Sequence, residues 1–225
     1  AGAIPIFLPT SRNAFGMIGA VDWDAWDEKY LRERIKSNPL VKDPNLHKAE
    51  RPFRMACIQL ATYDGTVYNV QKVLERIGHL CDYVLWDEAW IGYNAFHPLF
   101  ADHSPMRIGP LHPEMAGLFS TQSVHKQGAG FSQASQIHKR DEHIRGQHPY
   151  IEHKRFNESF LQHASTSPFY PLFASIEVNA KLHEGKAGEM LWDRCIELGI
   201  EVRKKLREFG AYYGVAGRTE DEKWF

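Results

Sequence analysis

A chain of 225 residues has room for one large domain or two small ones, and its 43% hydrophobic and 24% charged content is that of an ordinary globular protein. A net charge of -1 gives no electrostatic footprint for nucleic acid. No apolar run approaches the roughly 18 residues of a membrane span, and no basic segment precedes a long apolar core as in a secretory signal.

The first stretch, 4–8, is apolar, bounded by Pro9 and Ser11-Arg12-Asn13, and predicts a short buried strand. It starts without Met and reads as a chain entered partway. Asp24 is a candidate N-cap for a helix through Ile35, with Tyr30, Leu31 and Ile35 on one face. Three prolines between 38 and 52 predict a loop. Residues 54–61 predict a buried strand ending in the turn Thr62-Tyr63-Asp64-Gly65. Val67, Val70, Val73, Leu74, Ile77 and Leu80 recur at helical steps, and 83–86 is a second apolar strand ending on Asp87-Glu88. Strand, helix, strand at this spacing predicts a right-handed parallel crossover. Ligands of such sheets sit off the carboxyl ends of the strands, where Asp64, Asp87 and Lys126 would all fall. Residues 91–116, with four prolines, predict an irregular excursion. A strand is expected over 131–137, leaving Lys126, and a polar loop over 138–153. Helices are expected from 157 to about 163, over 170–183 and over 187–209. The segment 210–225 shows no clear pattern.

The chemistry gathers around Ser123-Val124-His125-Lys126, after a short apolar run and before Gly128-Ala129-Gly130. A lysine held in a poorly hydrated pocket sheds its proton readily and can act as a Schiff-base nucleophile; the plain alternative is an exposed loop lysine. Six histidines lie between His125 and His163, but HExxH and paired-cysteine spacing are both missing, so no metal site is assigned and a solvated loop is the simpler reading. The three cysteines, Cys57, Cys81 and Cys195, are far apart, which fits a reducing compartment. A hydrolase triad lacks its GxSxG elbow, and phosphate-cradling glycine motifs are missing too. Asp87 at a strand end, Ala89, Trp90 and the later Ser-x-His-Lys suit pyridoxal 5'-phosphate best. The carboxylate would pair with the ring nitrogen, Lys126 with the aldehyde, and Ser123 would donate to the phosphate. For Asp87 alone, a cap on the following turn is an equal reading.

Four segments carry a resemblance: Asp87-Glu88-Ala89-Trp90-Ile91-Gly92-Tyr93; Thr121-Gln122-Ser123-Val124-His125-Lys126-Gln127; 131–139; and 163–173. Together they resemble the bacterial ornithine/lysine/arginine decarboxylases, and Ser-Val-His-Lys-Gln with His-Lys-Arg at 153–155 is most similar to the ornithine branch. The similarity runs along essentially the whole chain. It implies an α/β fold, part of an aspartate-aminotransferase-like (fold type I) pyridoxal-phosphate domain. Its sheet would be mostly parallel and flanked by helices, with C-terminal helices leading toward a missing small domain. Residues 1–183 would be part of the large domain, without its N-terminal portion, and 184–225 a connecting helix and the start of the C-terminal domain.

The resemblance further implies Lys126 as the Schiff-base lysine, His125 beside the cofactor, Asp87 on the pyridinium, Ala89 packed on the ring and Trp90 near the 3'-oxygen. Ser123 would bind the phosphate of its own subunit and Ser165 that of a neighbour, so a homodimer or higher oligomer sharing its active sites is implied. The expected activity is decarboxylation of a basic amino acid in the cytoplasm, ornithine first and lysine or arginine as alternatives; a non-catalytic fragment or scaffold is the rival of another class. Members of the family are about three times longer. The upstream phosphate loop, the ring-stacking histidine and the acidic residue reading the distal amine would lie outside this chain. Glu88 stands where Ser is expected, and Gly128 where a larger side chain is usual.

Overall fold

Two apolar runs joined by an amphipathic helix build the centre of the molecule. In the computed structural model, which describes residues 2–212, strand β3 (Phe53–Gln59), helix α2 (Val70–Ile77) and strand β4 (Cys81–Asp87) form a parallel crossover. Strand β5 (Gly117–Ser123) adds in parallel beside β4, and β6 (Ser135–Arg140) closes the edge antiparallel, giving the order β3-β4-β5-β6. The mostly parallel sheet expected from the sequence is therefore present. A separate two-stranded ribbon pairs β1 (Thr10–Arg12) with β2 (Ile18–Val21).

Side chains alternate across the pleat and give the sheet two different faces. On one face Val84, Trp86 and Leu118 pack with Val70, Val73, Leu74 and Ile77 of α2. Each such buried aliphatic group contributes about 1.5–3 kcal/mol relative to exposure. Asn69 caps α2 by accepting the Lys72 amide at 3.0 Å. Helix α1 (Glu28–Lys36) adds Leu31 and Ile35 to the buried set. Its cap is Asp27, whose carboxylate accepts the amides of Lys29 and Tyr30; the expected cap, Asp24, lies in a preceding 3-10 turn. On the other face Tyr83 and Phe119 stack at 5.0 Å and bury Ile144, with Leu85 and Phe156 against them.

Some expectations fail for identifiable reasons. Residues 4–8 form no strand: Phe7 is 77% exposed, and the ribbon forms further along, where Asn13 and Gly16 make the turn that pairs β1 with β2. β3 is less buried than an apolar run suggests, because it is an edge strand with Met55 and Cys57 exposed. The strand leaving Lys126 starts four residues later than expected and absorbs His138, Lys139 and Arg140, which had read as loop. Lys139 is then held inside: its Nζ meets both Asp141 oxygens at 2.6 and 2.7 Å and the Ile151 carbonyl at 3.0 Å.

The C-terminal part is helical, with α4 (His153–Leu161), α5 (Tyr170–Leu182) and α6 (Gly185–Tyr212). Gly185 has φ +59°, the left-handed turn that separates α5 from α6. α6 is rooted by Trp192, which stacks on Tyr93 at 4.4 Å, while Asp193 pairs with His97 at 3.0 Å. Both helices leave large apolar side chains exposed, among them Tyr170, Phe173, Leu198 and Leu206. The helical pattern expected to end at Phe209 continues to Tyr212; the rest of the patternless segment lies outside the described residues. Among the described residues no helix is long and apolar enough to cross a membrane.

Candidate active site

Parallel neighbours bring the carboxyl ends of β4 and β5 to the same edge of the sheet, and the register sets Asp87 opposite Thr121. Two residues further Ser123 ends β5 and begins the single turn α3 (Val124–Gln127), which carries His125 and Lys126. Beyond Asp87 the chain turns through Ala89 and Trp90. The Lys126 ammonium lies 4.6 Å from the Trp90 ring centroid, a cation–π contact worth about 0.5–1 kcal/mol at an exposed site. The two motifs, well separated in sequence, are thus in contact.

Several of these side chains keep a polar group without a partner among the described residues. Asp87 Oδ1 accepts the Ala89 amide at 2.9 Å, so the capping reading holds for one oxygen, while Oδ2 has no partner among the described residues. Trp90 Nε1 is buried and also lacks a partner among them. His125 Nδ1 lies 3.0 Å from the Ala134 carbonyl. A carbonyl only accepts, so Nδ1 carries the proton and Nε2 has no partner among the described residues. Ser123 caps α3 with its backbone alone, and its hydroxyl has no partner among the described residues. The expectation of a poorly hydrated lysine is not met within the described residues: Lys126 is exposed, because α3 is a single turn beyond the sheet edge. Asp64, expected at the same edge, is already engaged by the Ile18 amide, although its neighbour Tyr63 packs edge-on against Trp90 at 5.2 Å. Ser165 lies on the exposed connection between α4 and α5, where its hydroxyl bonds within that loop, to Ser167.

Glu88, where the resemblance leads one to expect Ser, takes no place beside Asp87. One step along the strand turns it to the opposite face, where it is wholly buried. Its Oε2 accepts from Ser120 Oγ and from Gln122 Nε2, the latter at 3.0 Å. Gln122 Oε1 in turn accepts from Gln136 at 2.8 Å and from His138 Nε2 at 3.1 Å. Burial pushes the Glu88 carboxyl up to about 7, against the lowering effect of Ser120 and Gln122. The same burial lowers His138 from the usual imidazole range. Sequence reasoning missed this row; the signal was the polar pair Ser120 and Gln122, spaced by two on the face where β5 otherwise presents Leu118. Gly128, where the resemblance leads one to expect a larger side chain, has a local cause. A Cβ there would strike the Asn179 amide oxygen and come within 2.7 Å of the Val124 carbonyl, and that Asn179 oxygen is bound by the Ala129 amide at 2.8 Å.

An α/β domain with a lysine and a carboxylate past the ends of neighbouring parallel strands defines a class of sheet enzymes with the site at a strand-end crevice. Residues 1–220 match the family described as Orn/Lys/Arg decarboxylase, major domain, and the chain belongs to that family. It is 55% identical over 206 residues to the constitutive ornithine decarboxylase of Escherichia coli K12, covering 92% of this chain and 28% of that protein. It is 33% identical over 224 residues to the biodegradative arginine decarboxylase of the same organism, again covering 28% of the relative. The structure of lysine decarboxylase A from Pseudomonas aeruginosa superposes with a TM-score of 0.82 at 32% identity, over 93% of this chain and 27% of that one. The chain therefore spans a little over a quarter of the length of the relatives it matches.

Proposed function

We propose that this chain is the cofactor-binding core of a pyridoxal-5'-phosphate-dependent decarboxylase that converts L-ornithine to putrescine and carbon dioxide. The observation that carries the reading is the meeting of Lys126 with the Asp87–Trp90 turn, where Asp87 Oδ2 and Trp90 Nε1 have no partner among the described residues. The 55% identity to an ornithine enzyme, against 33% to an arginine enzyme, favours ornithine among the basic amino acids.

The free groups fit that cofactor by their chemistry. Lys126 would hold the aldehyde end. Asp87 Oδ2 would accept the ring N–H, a charged hydrogen bond contributing about 1.5–3 kcal/mol. Ala89 would pack on the ring, and the buried Trp90 Nε1–H would donate to the 3'-oxygen. Ser123 would donate to the phosphate, and His125, fixed by Ala134, would present Nε2 to the ring. When bound, the cofactor supplies an electron sink for the pair left at the α-carbon when the carboxylate departs. Asp87 would keep the ring nitrogen protonated, and the indole of Trp90 covers one side of Lys126. Ser165 would serve the site of a neighbouring subunit in a homodimer or larger assembly; the exposed apolar side chains near it, Phe160, Leu161, Phe169 and Tyr170, support a covered surface there. Residues 184–225 would lead toward a C-terminal domain.

The test uses the full-length protein loaded with pyridoxal 5'-phosphate. Borohydride reduction followed by peptide mass mapping is expected to find the pyridoxyl group on Lys126, and product analysis to find putrescine from ornithine. A Lys126→Ala protein that decarboxylates at the unmodified rate would refute the assignment. Preferential release of cadaverine from lysine or agmatine from arginine would refute the substrate.

A further inference from the structure

The buried row behind the site has a direction. Gln122 Oε1 only accepts, so His138 donates from Nε2 and Gln136 from its amide, and Gln122 passes the polarity on by donating to Glu88. Ser120 meets the same Glu88 oxygen. The row ties together the ends of β4, β5 and β6. Its last member is the residue between Asp87 and Ala89.

A second observation, independent of the hydrogen bonds, puts the same glutamine under the far end of the site turn. A Cβ built on Gly92 would lie 3.2 Å from Cγ and Cδ of Gln122. The arc from Glu88 to Gly92 is therefore seated on Gln122 at both ends, by a side-chain bond at Glu88 and by close backbone approach at Gly92. Within the arc the Ile91 amide donates to the Glu88 carbonyl at 3.0 Å, and Trp90 projects toward Lys126.

We propose that Glu88 is a positioning residue: by accepting from Ser120 and Gln122 it clamps the 87–92 turn to β5 and β6, and so aims Asp87 and Trp90 at the cofactor held by Lys126. The proposal rests on the functional reading above. The role needs an acceptor and no negative charge. Burial of the carboxyl agrees with this, since it favours the neutral form. A glutamine can replace such an acceptor, and an alanine cannot.

The experiment compares full-length wild type, Glu88→Gln, Glu88→Ala and a core variant on α2, Leu74→Ala, which weakens packing away from the turn. Pyridoxal 5'-phosphate is titrated into each apoprotein, and the induced circular dichroism of the bound cofactor is recorded. Amide hydrogen exchange of a peptide covering 87–94 is followed in the apo form. Glu88→Ala is expected to weaken cofactor binding roughly tenfold, to diminish the dichroic band and to speed exchange in 87–94. Glu88→Gln is expected to stay within about threefold of wild type with its band intact, and Leu74→Ala to lose thermal stability at unchanged cofactor affinity. Wild-type affinity and exchange in Glu88→Ala overturn the clamp, and so does a Glu88→Gln as impaired as the alanine. If Glu88→Ala does not fold, His138→Leu cuts the row two strands away. It is then expected to raise exchange in 87–94 and weaken binding, and no change in either overturns the proposal. A wild type that takes up no cofactor at Lys126 sinks the functional reading instead, and exchange in the apoprotein still decides the clamp.

Discussion

Asp141 ties the second face of the sheet to the loop beneath it. It is 2% exposed and holds three bonds: two from Lys139 Nζ, at 2.6 and 2.7 Å, and one from Tyr83 Oη at 2.8 Å. Tyr83 Oη accepts the Ile151 amide at 2.9 Å, so the knot pins the 142–151 loop under β4. Burial, and then the nearby carboxylate, hold the Tyr83 phenol above its usual range. Asp141→Ala would leave the Lys139 ammonium, 13% exposed, with the Ile151 carbonyl as its remaining hydrogen-bond partner among the described residues. Removing one member of a buried ion pair costs about 3–5 kcal/mol, a large share of the 5–15 kcal/mol that typically stabilises a domain. At a few degrees per kcal/mol for a domain of this size, the apparent Tm falls by roughly 10 °C. The double variant Lys139→Met/Asp141→Leu removes both charges and is expected to recover at least half of the loss. Urea and thermal unfolding of the full-length protein measure both. A shift below about 1 kcal/mol for Asp141→Ala, or a double variant as weak as the single, would refute the reasoning.

Three further outcomes concern Glu88, Gly128 and Cys81. Glu88, raised by burial from 4.5 to about 7, holds a proton in the folded chain that the unfolded chain releases over that range. Its stabilisation is therefore full below 4.5 and lost as pH rises through about 7, by an amount on the order of 3 kcal/mol. His138, lowered by burial, acts oppositely and loses its contribution as pH falls below its usual range. From about pH 5 to about pH 8 the unfolding midpoint should thus drop further in wild type than in Glu88→Gln, and parallel changes in both proteins would contradict this. Gly128→Ala forces a Cβ against the Asn179 amide and the Val124 carbonyl; a destabilisation of about 1–3 kcal/mol is expected, partly relieved by Asn179→Ala. Cys81 is buried, and burial, with Asp82 beside it, pushes its thiol up to about 12. Iodoacetamide at about pH 8 should leave it unlabelled in the native protein and label it after denaturation.

Patterns with a short period were legible in the sequence. The crossover from β3 through α2 to β4 could be read because Val70, Val73, Leu74 and Ile77 repeat at helical steps between two apolar runs. The strand ends bearing Asp87 and Lys126 followed from the same runs. What could not be read depends on partners far along the chain. His138 looks like a loop residue until β6 pairs with β5 and sets it opposite Ser120. Met55 looks buried until β3 is known to be an edge. The apolar stretch 4–8 looks like a strand only while its neighbours are unknown.

Adjacent acids illustrate why residue type alone does not assign a role. Asp87 and Glu88 are both carboxylates, next to each other, at the end of one strand. The pleat turns one to the open edge of the sheet, where one of its oxygens has no partner among the described residues, and the other into the interior, where Ser120 and Gln122 hold it. Exchanging the two acids tests the division directly. In Asp87→Glu/Glu88→Asp the composition is unchanged. At position 88 the shorter side chain then falls short of Ser120 and Gln122 by about one methylene, roughly 1.5 Å, so at least one buried bond is lost. At position 87 the longer side chain can still reach a ring nitrogen. The exchange is therefore expected to cost stability and cofactor affinity together, whereas Asp87→Glu alone costs affinity at near-native stability. Equal stability losses in the two proteins, measured by urea unfolding of the apo forms, would show that the face of the sheet does not separate the two roles.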